Sequence, residues 1–150
     1  MSDGMSQLGI SGTIPVLLEM EGTTEEEVIT EMIRALQGRA EVRDTGVFEQ
    51  AVLERQKVHP PLLGNGVALP HARTSAVTEM VLVIGKCPAP VAFGPEQIPV
   101  KLIFLYGVPA PCISEYLASV AKLTGFLRQP GCLDQLLMTA DEAGFRALLP

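Results

Sequence analysis

The chain has 150 residues, 47% of them hydrophobic, which is the size of one domain with enough apolar surface for a single core. A net charge of −6 without any long Lys/Arg cluster excludes nucleic acid and anionic membrane surfaces as partners, and leaves a basic protein or a small molecule open. No apolar run approaches the ~18–20 residues of a membrane span, which speaks against membrane insertion.

The opening "MSDGMSQLGISG" lacks the basic-then-apolar pattern of a secretory signal, so residues 1–13 are expected to form a flexible leader before a single domain at 14–150. Cys87, Cys112 and Cys132 are odd in number and widely spaced, which predicts three reduced thiols and a cytoplasmic location. "IPVLLEM" (14 to 20) reads as a first strand. "TTEEEVITEMIRALQGR" reads as a helix capped by Thr23 or Thr24, with acids Glu25 to Glu27 complementing its dipole and Gly38 ending it. A second helix follows in "DTGVFEQAVLERQKV", capped by Asp44, with Val47, Phe48, Ala51 and Val52 on its apolar face.

The prolines of "HPPLLGNG" cannot continue a helix. "VALP" and "TEMVLVIGK" then read as short buried strands, and "PVKLIFLYGVP" as a central strand covered on both faces. "SEYLASVAKLTGFL", capped by Ser114, is the next helix. "CLDQLLMTA" and "DEAGFRALL", the latter capped by Asp141, complete the chain. The order β, α, α, β, β, β, α, α, α predicts the α/β class: a three-layer α/β/α sandwich, its central mixed sheet covered by helices on both faces.

One stretch carries chemistry. In "GNGVALPHAR" (64 to 73) a histidine follows a proline at what reads as the end of a strand, just downstream of two glycines. A nucleophilic imidazole must be exposed, neutral and held through one nitrogen so that the other attacks. Gly64 and Gly66 would let backbone N–H groups approach an oxyanion, and Arg55 and Arg73 would offset a phosphoryl charge. The residues alone favour a strand-ending His71 packed on a turn over a nucleophile, and fit an Arg73 facing solvent as well as one in a pocket.

"GNGVALPHAR", with the arginine of "LERQ" sixteen residues before its histidine, resembles the active-site signature of enzyme IIA domains of the bacterial phosphotransferase system, of the fructose/mannitol and nitrogen-regulatory type. "EEEVITEMIRAL", "GVFEQAVLERQ", "GPEQIPVKLIFLYGVP" and "YLASVAKLTGFLR" extend the likeness over roughly residues 14 to 149. The resemblance implies that His71 is phosphorylated on Nε2, that Arg55 steadies the phosphoryl oxygens, and that Gly64, Asn65 and Gly66 shape the pocket. It implies a phosphoryl group received from an HPr-like phosphocarrier protein and then passed to a IIB domain or held as a signal. With no IIB or IIC segment and no sugar-specific feature in view, a free-standing carrier of the regulatory, nitrogen-type branch is expected.

Two departures stand against this pattern. His59-Pro60-Pro61 replaces a small, hydroxyl-bearing series, and no histidine follows His71, although the family places a second one near the start of the helix after the central strand. Ile113, Ser114, Glu115 and Tyr116 occupy that region. Glu115 and Tyr116 are therefore candidates for the phosphate pocket, with a place on the helix surface as their alternative. His59 reads as a solvent-facing turn residue. These departures keep a second reading open, a regulatory interaction module that binds a kinase or transporter with little phosphotransfer. Two histidines without a compact third ligand do not make a metal site, and no cofactor is expected.

Overall fold

The computed structural model describes residues 7–10 and 12–150. Six strands, β1 (Val16–Leu17), β2 (Leu62–Gly64), β3 (Val67–Ala68), β4 (His71–Arg73), β5 (Val81–Phe93) and β6 (Ile98–Val108), form one mixed sheet. Its order is β1-β5-β6-β3-β2, and β4 pairs with β6 beyond the end of β3. Helices α1 (Glu25–Arg34) and α2 (Thr45–Val58) cover one face, and α3 (Ile113–Arg128), α4 (Cys132–Met138) and α5 (Glu142–Leu148) cover the other.

The period of two along β5 and β6 builds these layers. Val81, Val83, Ile103 and Leu105 face α1 and α2 in one core, while Leu82, Ile84, Phe104 and Tyr106 face α3 to α5 in the second. Long β6, paired on both edges and buried on both faces, is the central strand the apolar run predicts. The helix starts at Thr24, Asp44 and Asp141 also follow the sequence, each side chain accepting from a backbone N–H three residues on.

Several expectations are corrected. Only Val16–Leu17 of the first apolar run pairs in the sheet. Two short strands, β2 and β4, escape the sequence reading, and β5 continues to Phe93 through Pro88 and Pro90 because its register slips between Lys86 and Val91. Ser114 does not cap α3. A turn of 3-10 helix (Ala110–Cys112) feeds directly into Ile113, with Cys112 at the cap position. Val47 is 51% exposed rather than part of the α2 core face. Leu8 and Ile10 are buried in the core beneath α3 to α5, so this part of the expected leader is docked. The leader expectation for residues 1–6 and 11 lies outside the described residues.

Gly107 sets how closely α2 approaches the sheet beside the histidine motif. It stands opposite Ala72 in the β4–β6 pair, and a Cβ there would lie 2.8 Å from both Phe48 of α2 and Val81 of β5.

Candidate functional site

Pro70 divides the apolar run into β3 and β4, so His71 opens a strand instead of ending one. The Pro70 carbonyl accepts from Tyr106 N–H, and His71 lies directly opposite Tyr106 in the parallel β4–β6 ladder. Here α2 from one layer and α3 from the other meet the sheet. They enclose a pocket of about 360 Å³ lined by Arg55, His71, Arg73, Ile113 and Tyr116, with Ala51, Ala72 and Val108 at its walls.

The half-buried His71 is held by Nδ1, 3.1 Å from the carbonyl oxygen of Leu69. A carbonyl only accepts, so the proton of the neutral ring sits on Nδ1 and the lone pair remains on Nε2. Burial holds the His71 pKa below its ordinary 6.5. The Leu69 hydrogen bond opposes this shift, and the Arg55 charge adds to it. The imidazole is therefore neutral at pH 7, the form that attacks an electrophile.

Arg55 on α2 and Arg73 on β4 are both exposed, and neither has a carboxylate partner among the described residues. Two guanidiniums thus stand free beside a neutral imidazole, an arrangement suited to a dianionic group. Tyr116 is buried and stacks on His71, with ring centroids 5.2 Å apart and planes at 32°. Burial, reinforced by Tyr106 and opposed by Arg55, pushes the Tyr116 hydroxyl up to about 12, so it remains protonated.

The other candidates lie elsewhere. Glu115 is exposed and does not line the pocket, because Tyr116 takes the inward position on α3. Gly64, Asn65 and Gly66 do not reach it either. Asn65 (φ 55°) and Gly66 (φ 81°) form the two-residue turn joining β2 to antiparallel β3, and the turn borders separate grooves against the end of α3 and the start of α4. These positive φ angles belong to hairpin geometry, and Asn-Gly is its strongest short-range signal. The glycines therefore turn the chain into the strand that leads to His71 and lie outside its pocket. His59 is exposed at the end of α2, outside the pocket, its N–H donating to the Arg55 carbonyl. Ile113, a pocket wall, and Tyr106, which packs edge-on against Tyr116, carry no sequence signal of their own, one being a lone apolar helix residue and the other a buried strand tyrosine.

Fold and site together define a class: an α/β/α domain that presents a neutral, Nδ1-tethered histidine beside free arginines. The chain belongs to the phosphoenolpyruvate-dependent sugar phosphotransferase system, EIIA 2 family, whose model matches residues 14–150. It is 25% identical to the fructose-specific EIIABC component of Bacillus subtilis over 85% of this chain, and spans only 20% of that protein's length. The nitrogen regulatory protein IIA-Ntr of Neisseria meningitidis superposes with a TM-score of 0.81 at 28% identity, covering 90% of this chain and 92% of its own. The complex of enzyme IIAMtl with phosphorylated IIBMtl from Escherichia coli matches in fold, with a TM-score of 0.76 at 24% identity, covering 91% of this chain and 94% of that one. Among the described residues no helix is long and apolar enough to cross a membrane, and no three His, Cys, Asp or Glu side chains cluster as metal ligands.

Proposed function

We propose that this chain is a phosphoryl carrier of the phosphotransferase system that accepts phosphate on Nε2 of His71 from an HPr-like phosphocarrier protein. One observation carries this reading: the Leu69 carbonyl fixes the proton on Nδ1 of a neutral histidine that lines a pocket with two unpartnered arginines. The Nε2 lone pair attacks the phosphorus of the donor's phosphohistidine. A new P–N bond forms as the old one breaks, and the bonding pair returns to the donor imidazole. Arg55 and Arg73 hold the phosphoryl oxygens as their charge redistributes.

The group then passes to a IIB domain or stays as a signal to a regulated kinase or transporter, and the protein works in the cytoplasm without inserting in a membrane or binding nucleic acid. Similarity to the Neisseria nitrogen regulatory protein over nearly its full length supports the regulatory, nitrogen-type branch. Tyr116 lines the pocket near the start of α3, where the family resemblance implies a second imidazole. This favours one alternative, a regulatory module with little phosphotransfer.

Incubation with enzyme I, an HPr-like protein and phosphoenolpyruvate is expected to add one phosphate, labile to acid and stable to base. No mass increase with any HPr paralogue refutes the carrier reading, and a stoichiometric partner captured equally by wild type and His71→Ala supports the alternative.

Arg55→Ala is expected to slow transfer while the fold persists. Loss of a charge-assisted contact of ~1.5–3 kcal/mol corresponds to roughly a tenfold to hundredfold lower rate where the contact forms mainly in the transition state. Because the Arg55 charge also lowers the His71 pKa, its removal moves that pKa upward. The nucleophile must be neutral, so the acid limb of the rate profile moves to higher pH in Arg55→Ala. Transfer at the wild-type rate in a variant whose melting temperature has dropped sharply makes Arg55 a structural residue instead.

A further inference from the structure

The Leu69 hydrogen bond holds one edge of the His71 ring but does not by itself fix the ring plane, and an imidazole that turns out of line bends and weakens that bond. The second restraint is Tyr116, whose ring lies over the imidazole at 5.2 Å and 32°. Tyr116 is itself braced. Its ring meets Tyr106 edge-on, 5.3 Å between centroids at 81°, and the Tyr106 hydroxyl lies 2.8 Å from the buried Ser119 Oγ. Ser119 is three residues beyond Tyr116 on the same face of α3, and Tyr106 stands opposite His71 on β6. A closed circuit results: His71 to Tyr116, along α3 to Ser119, across to Tyr106, and through the ladder back to His71. The Tyr116 hydroxyl has no hydrogen-bond partner among the described residues, so the restraint comes from its ring.

We infer that Tyr116 is a positioning residue for phosphoryl acceptance, its ring fixing the plane of the His71 imidazole so that the Leu69 carbonyl can hold the proton on Nδ1. The inference rests on His71 being the phosphoryl acceptor, and it assigns the position where the family resemblance implies a second imidazole to a ring that aims the first one. Aromatic pairs of this geometry are directional, and a misplaced reacting atom loses much of its rate.

The test compares Tyr116→Phe, Tyr116→Leu and Tyr106→Phe with wild type in two readouts. One is the single-turnover rate of phosphate uptake from phosphorylated HPr. The other is the 15N spectrum of His71, which reports tautomer and titration without any transfer. Tyr116→Phe is expected to stay within about twofold of wild type and Tyr116→Leu to lose about tenfold or more, because only the leucine removes the ring. In the spectrum, wild type and Tyr116→Phe keep the proton on Nδ1, whereas Tyr116→Leu shows mixed tautomers and a His71 titration shifted toward 6.5. Tyr106→Phe, which removes only the hydroxyl bonded to Ser119, is expected to lose about threefold. It replaces Tyr116→Leu should that variant fail to fold. A Tyr116→Leu rate within twofold of wild type, or a Tyr116→Phe rate as low as that of Tyr116→Leu, overturns the inference, as does a Tyr106→Phe rate equal to wild type where Tyr116→Leu does not fold. If wild type takes no phosphate, the carrier reading fails and the spectra decide alone: mixed tautomers in wild type refute the positioning role, and mixing confined to Tyr116→Leu upholds it.

Discussion

His71→Ala takes up no phosphate from the HPr-like donor, with incorporation by intact mass below about one hundredth of wild type, because the one other hydroxyl or amine nucleophile lining its pocket among the described residues, the Tyr116 hydroxyl, is held protonated by burial. The variant stays folded. His71 is half-buried at the start of an edge segment and lies outside both core clusters, so the lost Leu69 hydrogen bond and Tyr116 stacking cost about 1–2 kcal/mol. The pH dependence of stability supplies a second check. The folded-state pKa of His71 lies below its unfolded value of 6.5, so the unfolded chain binds more protons between the two. The His71 contribution is complete above 6.5 and is lost as pH falls through that value toward the folded pKa. His71→Ala lacks this component and loses less stability on acidification. The groups facing the imidazole are Arg55 from α2, Arg73 from its own strand, Tyr116 from α3 and Tyr106 from β6, and burial pushes both tyrosine hydroxyls up to about 12, far above that window. Phosphate retained in His71→Ala assigns the acceptor to His59 and refutes the site.

The sequence makes the layered architecture legible wherever a period is long enough to read. The apolar run of β6 requires cover on both faces, and the capped helices after Thr24, Asp44 and Asp141 supply it. It conceals β2 and β4, since three residues show no period, and a proline between β3 and β4 hides that both lie along the same strand. His71 and Arg55 are legible through their motif and spacing. The place of the Gly64–Gly66 turn is hidden because glycines serve hairpins and phosphate loops alike, although the Asn-Gly pair points to the hairpin the structure shows. Glu115 and Tyr116 are inseparable in sequence, being adjacent near the start of a helix. Only the rotation of α3 against β6, fixed where Ser119 meets Tyr106, turns Tyr116 inward and leaves Glu115 outside.

That rotation also determines where a second imidazole is useful. Of positions 113 to 116, only Ile113 and Tyr116 line the His71 pocket. Replacing Tyr116 removes the ring stacked on His71, whereas Ile113 is 39% exposed at the pocket wall and can be exchanged with little packing loss. Ile113→His is therefore expected to accelerate phosphorylation. A protonated imidazole there donates a charge-assisted hydrogen bond of ~1.5–3 kcal/mol to a phosphoryl oxygen, roughly tenfold to hundredfold in rate if the bond forms mainly in the transition state. Ser114→His and Glu115→His are expected to stay within about twofold of wild type, the latter gaining only from the removal of an exposed negative charge. The pH profile identifies the mechanism. His71 acts neutral and titrates below 6.5, while the introduced imidazole acts protonated near its ordinary ~6.5, so the gain is largest just below that pH and fades above it. A gain that persists unchanged to pH 8 means that charge is not responsible. A larger gain from Ser114→His or Glu115→His than from Ile113→His shows that α3 presents a different face to the phosphoryl group, and the assignment of the pocket to Ile113 and Tyr116 then fails.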